Sequence, residues 1–208
     1  MIRNQIPLTI DGINESIYAG FVVRLGALLL DFLIMLPFYY LILFLSGLSK
    51  EAYYFTILPG LVFQFWYNIY LVKKYGGTPG KLITGIRILK MDGTDVEWRE
   101  AILRDIINVF LSIVFTAITV FALSQADSYY YESLTWREKH KYLITLTPVL
   151  YIFYQWVSNI WMYSELVVLL FNRRRRALHD FIAGTVIVKL KYLSRIRETR
   201  TDLKVTVV

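Results

Sequence analysis

Arg24 and Asp31 are the only Arg, Lys, Asp or Glu residues in a long apolar run, residues 19–45 (AGFVVRLGALLLDFLIMLPFYYLILFL). Seven residues make two helical turns, so on a helix the two side chains leave one face about 10 Å apart along the axis. That spacing rules out direct contact. A carboxylate at membrane depth is costly unless it meets a partner, water or the bundle interior. Asp31 could therefore bind a cation or exchange a proton, with Arg24 tuning it electrostatically. Alternatively, Asp31 bonds a polar group on a neighbouring helix while Arg24 reaches the headgroup level. Both readings stay open on the residues alone.

Further polar residues sit in other apolar runs. Gln64 with Asn68, and Gln155 with Asn159, are four apart and share a helix face, and Asn108, Ser158 and Glu165 join them. If Asp31 and Glu165 converge with Asn68, Gln155 and Asn159, the result is an all-oxygen site suited to a hard cation such as Na⁺. Otherwise the amides hold helices together. The dipeptide His179-Asp180 follows four arginines, but the one other histidine, His140, falls on the opposite side of the expected membrane. A zinc site is not supported. With no nucleophile and base pair, nucleotide motif or cysteine, the sequence points to neither an enzyme nor a cofactor.

The stretch GGTPGKLITG, residues 76–85, resembles a phosphate loop at first sight. A P-loop needs G-x-x-x-x-G-K followed by Ser or Thr, because loop length sets the amide cradle and the hydroxyl holds Mg²⁺. Here Gly76 and Gly80 are one residue too close, and Leu82 stands where the hydroxyl should be. The glycines and Pro79 read instead as a sharp turn.

The elements that must position these residues follow from hydropathy. The chain has 208 residues, is 56% hydrophobic and has no cysteine. Such a composition exceeds that of a soluble domain, and a bilayer core needs about 20 apolar residues per helix. Four spans are expected, at residues 19–45, 55–72, 106–123 and 142–171. The first is too long and too charged for a cleaved signal peptide. The expected fold is an all-α integral membrane protein with four transmembrane helices and a small cytoplasmic β-ribbon. The ribbon is placed around the turn signal Asp92-Gly93, and TVIV, residues 185–188, is a further strand able to pair with it. Residues 1–18 read as a lead-in, 19–190 as the membrane domain and 191–208 as a basic cytoplasmic tail. Residues 124–141, polar but rich in Tyr and Trp, read as an outer loop at the headgroup level.

Charge sets the orientation. Of the 23 Lys and Arg, about 18, counting Arg3, fall on the side of both termini and about 4 on the other. Both termini are then cytoplasmic, in a plasma membrane of the bacterial inner-membrane type. The net charge of +7 is spent on this asymmetry, which argues against nucleic acid as a partner. Lys81, Arg173, Arg174, Arg175 and Arg176 are candidates for contact with anionic headgroups.

Three segments in order, RLGALLLD, GGTPGKLITGIRILKMDG and RRRRALHDFIAGTVIV, resemble the RDD family of membrane proteins, named for one arginine and two aspartates. The resemblance covers roughly residues 18–190. It implies that Arg24 is the family arginine, Asp31 the first aspartate and Asp180 the second, with Asp105 as the other possibility. Two expectations for function follow, the first from the resemblance and the second from the structural reading of the same residues. One is a small Na⁺ or K⁺/proton transporter using Asp31, as a homodimer because four spans are few for alternating access. The other is a non-transporting membrane scaffold or regulatory subunit, working with a membrane partner, in which the Arg and Asp residues are structural.

Overall fold

The computed structural model describes residues 5–205, with side chains to residue 199; Arg3, the Arg200 and Lys204 side chains and residues 206–208 lie outside the described residues. Helix α1 runs Phe21–Ser46, and α2, Lys50–Phe65, continues through a π-helical turn, Trp66–Tyr70, into α3, Leu71–Tyr75. Short α4, Pro79–Ile83, leads into strand β1, Ile86–Lys90. Then come α5, Trp98–Gln125, α6, Ser128–Ser133, α7, Trp136–Leu146, and α8, Pro148–Phe171. Short α9, Leu178–Ala183, precedes β2, Thr185–Lys189, a 3₁₀ turn, Leu190–Tyr192, and α10, Leu193–Val205.

Three helical stretches, Phe21–Ser46, Lys50–Ile83 and Trp98–Gln125, are long and apolar enough to cross a membrane. A fourth is counted only if α7 and α8, bent by 100° at their junction, act as one span. The expected fourth span, 142–171, thus contains a corner at Thr147-Pro148. Proline lacks an N–H and disfavours helical geometry in the residue before it, which explains the break. The most apolar windows of the three long stretches are only 11%, 28% and 22% buried. Side chains such as Phe55 and Val22 stand almost fully exposed, a surface that suits lipid and not water.

The chain forms two compact units, one from the described parts of Met1–Ile34, Trp66–Asp105 and Ser164–Val208, the other from Met35–Phe65 and Ile106–Tyr163. In the first, β1 and β2 pair antiparallel, Ile86 opposite Lys189 through Lys90 opposite Thr185. Residues 17–19 lie along the other edge of β2, with the Ala19 N–H donating to Ile187 O at 2.9 Å and the Lys189 N–H to Ile17 O at 2.9 Å. The core gathers Ile6, Ile17, Tyr18, Leu89, Val186, Val188 and Ile196. The ribbon expected around Asp92-Gly93 differs in its partner. The turn forms, with the Gly93 N–H on Lys90 O and the Lys90 N–H on Thr94 O, both at 2.9 Å. Beyond it Asp95 makes one bridge to Leu89, and α5 then begins at Trp98. Too few residues remain for a second strand, so TVIV supplies it.

The second unit packs Ala122, Leu123, Ala126, Tyr131 and Leu143. The expected outer loop is helical: Asp127 caps α6 by accepting from the Tyr130 N–H at 2.7 Å, and Glu138 accepts from the Thr135 N–H at 2.9 Å to start α7. Lys139, buried on α7, donates to Gly47 O at 2.7 Å and lies 5.0 Å from the Tyr131 ring.

Candidate functional site

Asp180 is fully buried at the start of α9, where its Oδ2 accepts from the Ala177 N–H at 3.0 Å. A carboxylate in the first helical turn satisfies a free N–H and is favoured by the positive end of the helix dipole. Gly184, at φ 67°, ends α9 in the left-handed region and turns the chain into β2. The same Oδ2 ion-pairs with Arg24 Nη1 at 2.9 Å. Oδ1 pairs with Arg104 Nη1 and accepts from the Thr185 hydroxyl at 3.2 Å. Burial by itself would raise the Asp180 carboxyl, but the Arg104 and Arg24 guanidiniums, with the Ala177 amide, hold it well below the usual carboxylate range.

Each cation of this clasp has further partners. Arg24 Nε donates to Ala19 O at 3.2 Å, and its Nη2 to Arg175 O. Arg175 takes φ 50°, rare for a residue with a side chain, and that conformation presents the carbonyl. Arg104 Nη1 donates to Thr185 Oγ1 at 2.5 Å, and Nη2 meets His179 Nε2 at 2.8 Å. Glu165 accepts from the His179 N–H at 2.8 Å and pairs with His179 Nδ1. Arg176 donates to Thr185 O at 2.9 Å and Asp180 O at 2.7 Å, and stacks 4.0 Å from the Phe181 ring.

Asp31 forms a second centre in the same unit. Its Oδ1 accepts from Tyr67 OH at 2.7 Å and the Gly80 N–H at 2.7 Å, and Oδ2 from the Thr78 hydroxyl at 2.5 Å. Lys81 Nζ donates to Thr78 Oγ1 at 3.0 Å and lies 3.8 Å from Asp31 Oδ2. GGTPGK is thus a loop docked on α1: Thr78 and Pro79 open α4, and Asp31 supplies from another helix the acceptor that its first amide, the Gly80 N–H, needs. Tyr67 reaches Asp31 from the π-helical turn. Gly80 permits the approach. A Cβ there would lie 2.7 Å from Asp31 Cγ and 2.8 Å from Asp31 N, and would also run into Ala27 O.

Arg24 and Asp180 thus meet, and Asp31 lies apart with its own donors. Asp105 is buried beside Arg104 on α5. Asn68 is half-buried on the turn that carries Tyr67, and Glu165 holds His179. In the second unit Gln155 donates to Asn159 at 3.3 Å, and Trp161 to Asn108 at 3.1 Å. Among the headgroup candidates, Lys81 turns towards Thr78 and Asp31. Arg174 donates to Gln5 Oε1 at 2.9 Å, and Arg176 bonds backbone; Arg173 and Arg175 are exposed. Among the described residues no three His, Asp or Glu gather in a way that could hold a metal ion. Arg104, Tyr67, Thr78 and Thr185 were not singled out by sequence. The one signal was Arg104 in the charged first turns of an otherwise apolar helix.

Long, apolar and largely uncovered helices, with an Arg–Asp clasp and a small sheet in the first unit, suit a helical membrane protein. The model of the RDD family matches residues 18–184, and the chain belongs to that family. It is similar to "Uncharacterized protein YckC" of Bacillus subtilis (strain 168), 26% identical over 175 residues, which cover 81% of this chain and 83% of that protein.

Proposed function

We propose that this RDD family protein is a non-transporting scaffold or regulatory subunit, inserted in the plasma membrane with both termini in the cytoplasm. Its arginine and two aspartates hold the first unit together, and it has no catalysis of its own. The occupancy of the Asp31 carboxylate carries the reading. Three donors and a lysine ammonium converge on its two oxygens. A cation entering there would displace those donors and face the Lys81 charge at short range. Asp180 is likewise committed to two guanidiniums. An ion pathway built on either carboxylate would have to dismantle the unit.

Placement at the bilayer rests on the apolar helix faces and on their ends. Lys73 lies 5.4 Å from the Trp98 ring, and Lys74 lies 5.5 Å from Tyr70 and 5.1 Å from Tyr75. Lysine with Trp and Tyr is the usual signature of the headgroup level, and anionic lipid is its natural partner. The test is flux in proteoliposomes under opposed Na⁺, K⁺ and proton gradients. The scaffold reading expects no flux above empty liposomes. A cation-dependent proton flux abolished by Asp31→Asn, in a variant that keeps its fold, would install the transporter in its place.

A further inference from the structure

The contacts of His179 fix which of its ring nitrogens carries a proton. Nε2 stands 2.8 Å from Arg104 Nη2. A guanidinium only donates and stays protonated, so Nε2 must be the acceptor. Nδ1 then bears the hydrogen and donates it to the Glu165 carboxylate beside it. The site is thus built for the neutral Nδ1–H tautomer. A proton added at Nε2 would set two N–H groups head to head. A carboxylate acceptor for it lies at Asp180 Oδ1, 3.7 Å away, the oxygen that Arg104 already holds.

We propose that His179 is a proton-operated latch: once protonated, its Nε2–H competes with Arg104 for Asp180 Oδ1 and loosens α5 from α9. The charged groups around the ring come from every neighbouring element. Glu165 on α8 and Arg104 on α5 touch the ring and Asp180 on α9 itself lies 3.7 Å from Nε2, while Arg24 on α1 and Arg176 in the preceding loop bind Asp180 and Lys81 of α4 feels the charges of Arg104, Arg24 and Asp180. Two carboxylates draw the proton in and the guanidiniums oppose it. The new charge is therefore accommodated by an exchange of partners and not by expulsion of the ring. The latch would answer acidification of the compartment that bathes it. The inference goes beyond the scaffold reading and holds whether or not the protein carries ions.

The test uses the full chain in lipid nanodiscs with His140→Gln, which leaves His179 as the one histidine of the two. Imidazole ¹⁵N spectra are followed from about pH 8 to about pH 5. The expected result is the Nδ1–H tautomer at high pH. On acidification a protonated ring should appear together with a shift of the Arg104 guanidinium signals. Exchange of the Ala177 amide, which donates to Asp180, should then speed up about tenfold beyond its intrinsic pH dependence, the size of a one-unit coupling. In His179→Gln that extra pH dependence should vanish. An Nε2–H tautomer at high pH, a ring that stays neutral throughout, a ring that titrates with no change at Arg104 and Ala177, or an unchanged pH dependence in His179→Gln would each overturn the latch. Flux plays no part in these readouts, so failure here and failure of the scaffold reading are separable.

Discussion

At the scale of single residues, Asp180 takes four donors on two oxygens in a site closed to solvent. Removing one partner of a buried ion pair costs about 3–5 kcal/mol, because the other charge is left uncompensated. Asp180→Asn strands Arg24 and Arg104 together and is expected to lose that much. Thermal unfolding in nanodiscs reads it directly. Since the carboxyl is held below its ordinary range, the unfolded chain binds its proton at higher pH than the folded one. The stabilisation is complete above the ordinary carboxylate value, about pH 4, and is lost as pH falls through the depressed folded value. The Arg24–Asp180 pairing was open to expectation through the family resemblance. Arg104 was not, because nothing in REAILRDIIN separates an inward arginine from an interfacial one until Thr185 and His179 are in place beside it.

Among the elements, the GGTPGK loop converts a sequence pattern into a fixed geometry. Gly80→Ala would push α4 off α1, since the new methyl meets backbone and not a yielding side-chain tip. Overpacking of this kind costs about 1–3 kcal/mol. Gly26→Ala on α1 has open space at its Cβ and should be neutral or slightly stabilising. The difference in unfolding midpoint between these two variants checks whether the loop is docked as described. Hydropathy located the long helices well, because apolar runs of this length have few alternatives. It placed the last one across Thr147-Pro148, where composition continues but the backbone cannot. The segment 124–141 read as a loop because aromatic and polar residues alternate without a span. The Thr135-x-x-Glu138 capping signature that starts α7 was present in the sequence. The Asp92-Gly93 turn was legible and its strand partner was not, since antiparallel pairing of residues about 100 apart depends on tertiary closure.

For the molecule as a whole, the proposed orientation with both termini in the cytoplasm rests on charge asymmetry and bare apolar helices. The chain has no cysteine, so single introduced thiols report topology without background. Tyr129→Cys, on the exposed start of α6, should react with an impermeant maleimide on intact cells. Glu198→Cys, exposed on α10, should react only after permeabilisation. The reverse pattern would invert the topology, and labelling of both sites in intact cells would contradict cytoplasmic placement of the C-terminus.

In the proposed scaffold, Asp31 anchors a loop and binds no ion. A ligand that binds the folded state at 100 times its Kd adds about 2.7 kcal/mol of stability. The decisive measurement is therefore the unfolding midpoint of the purified protein titrated with Na⁺ or K⁺ against choline at constant ionic strength, for wild type and Asp31→Asn. No cation-specific rise is expected in wild type, and a lower midpoint is expected for Asp31→Asn in every salt. A Na⁺- or K⁺-specific rise in wild type that disappears in Asp31→Asn would contradict the scaffold reading.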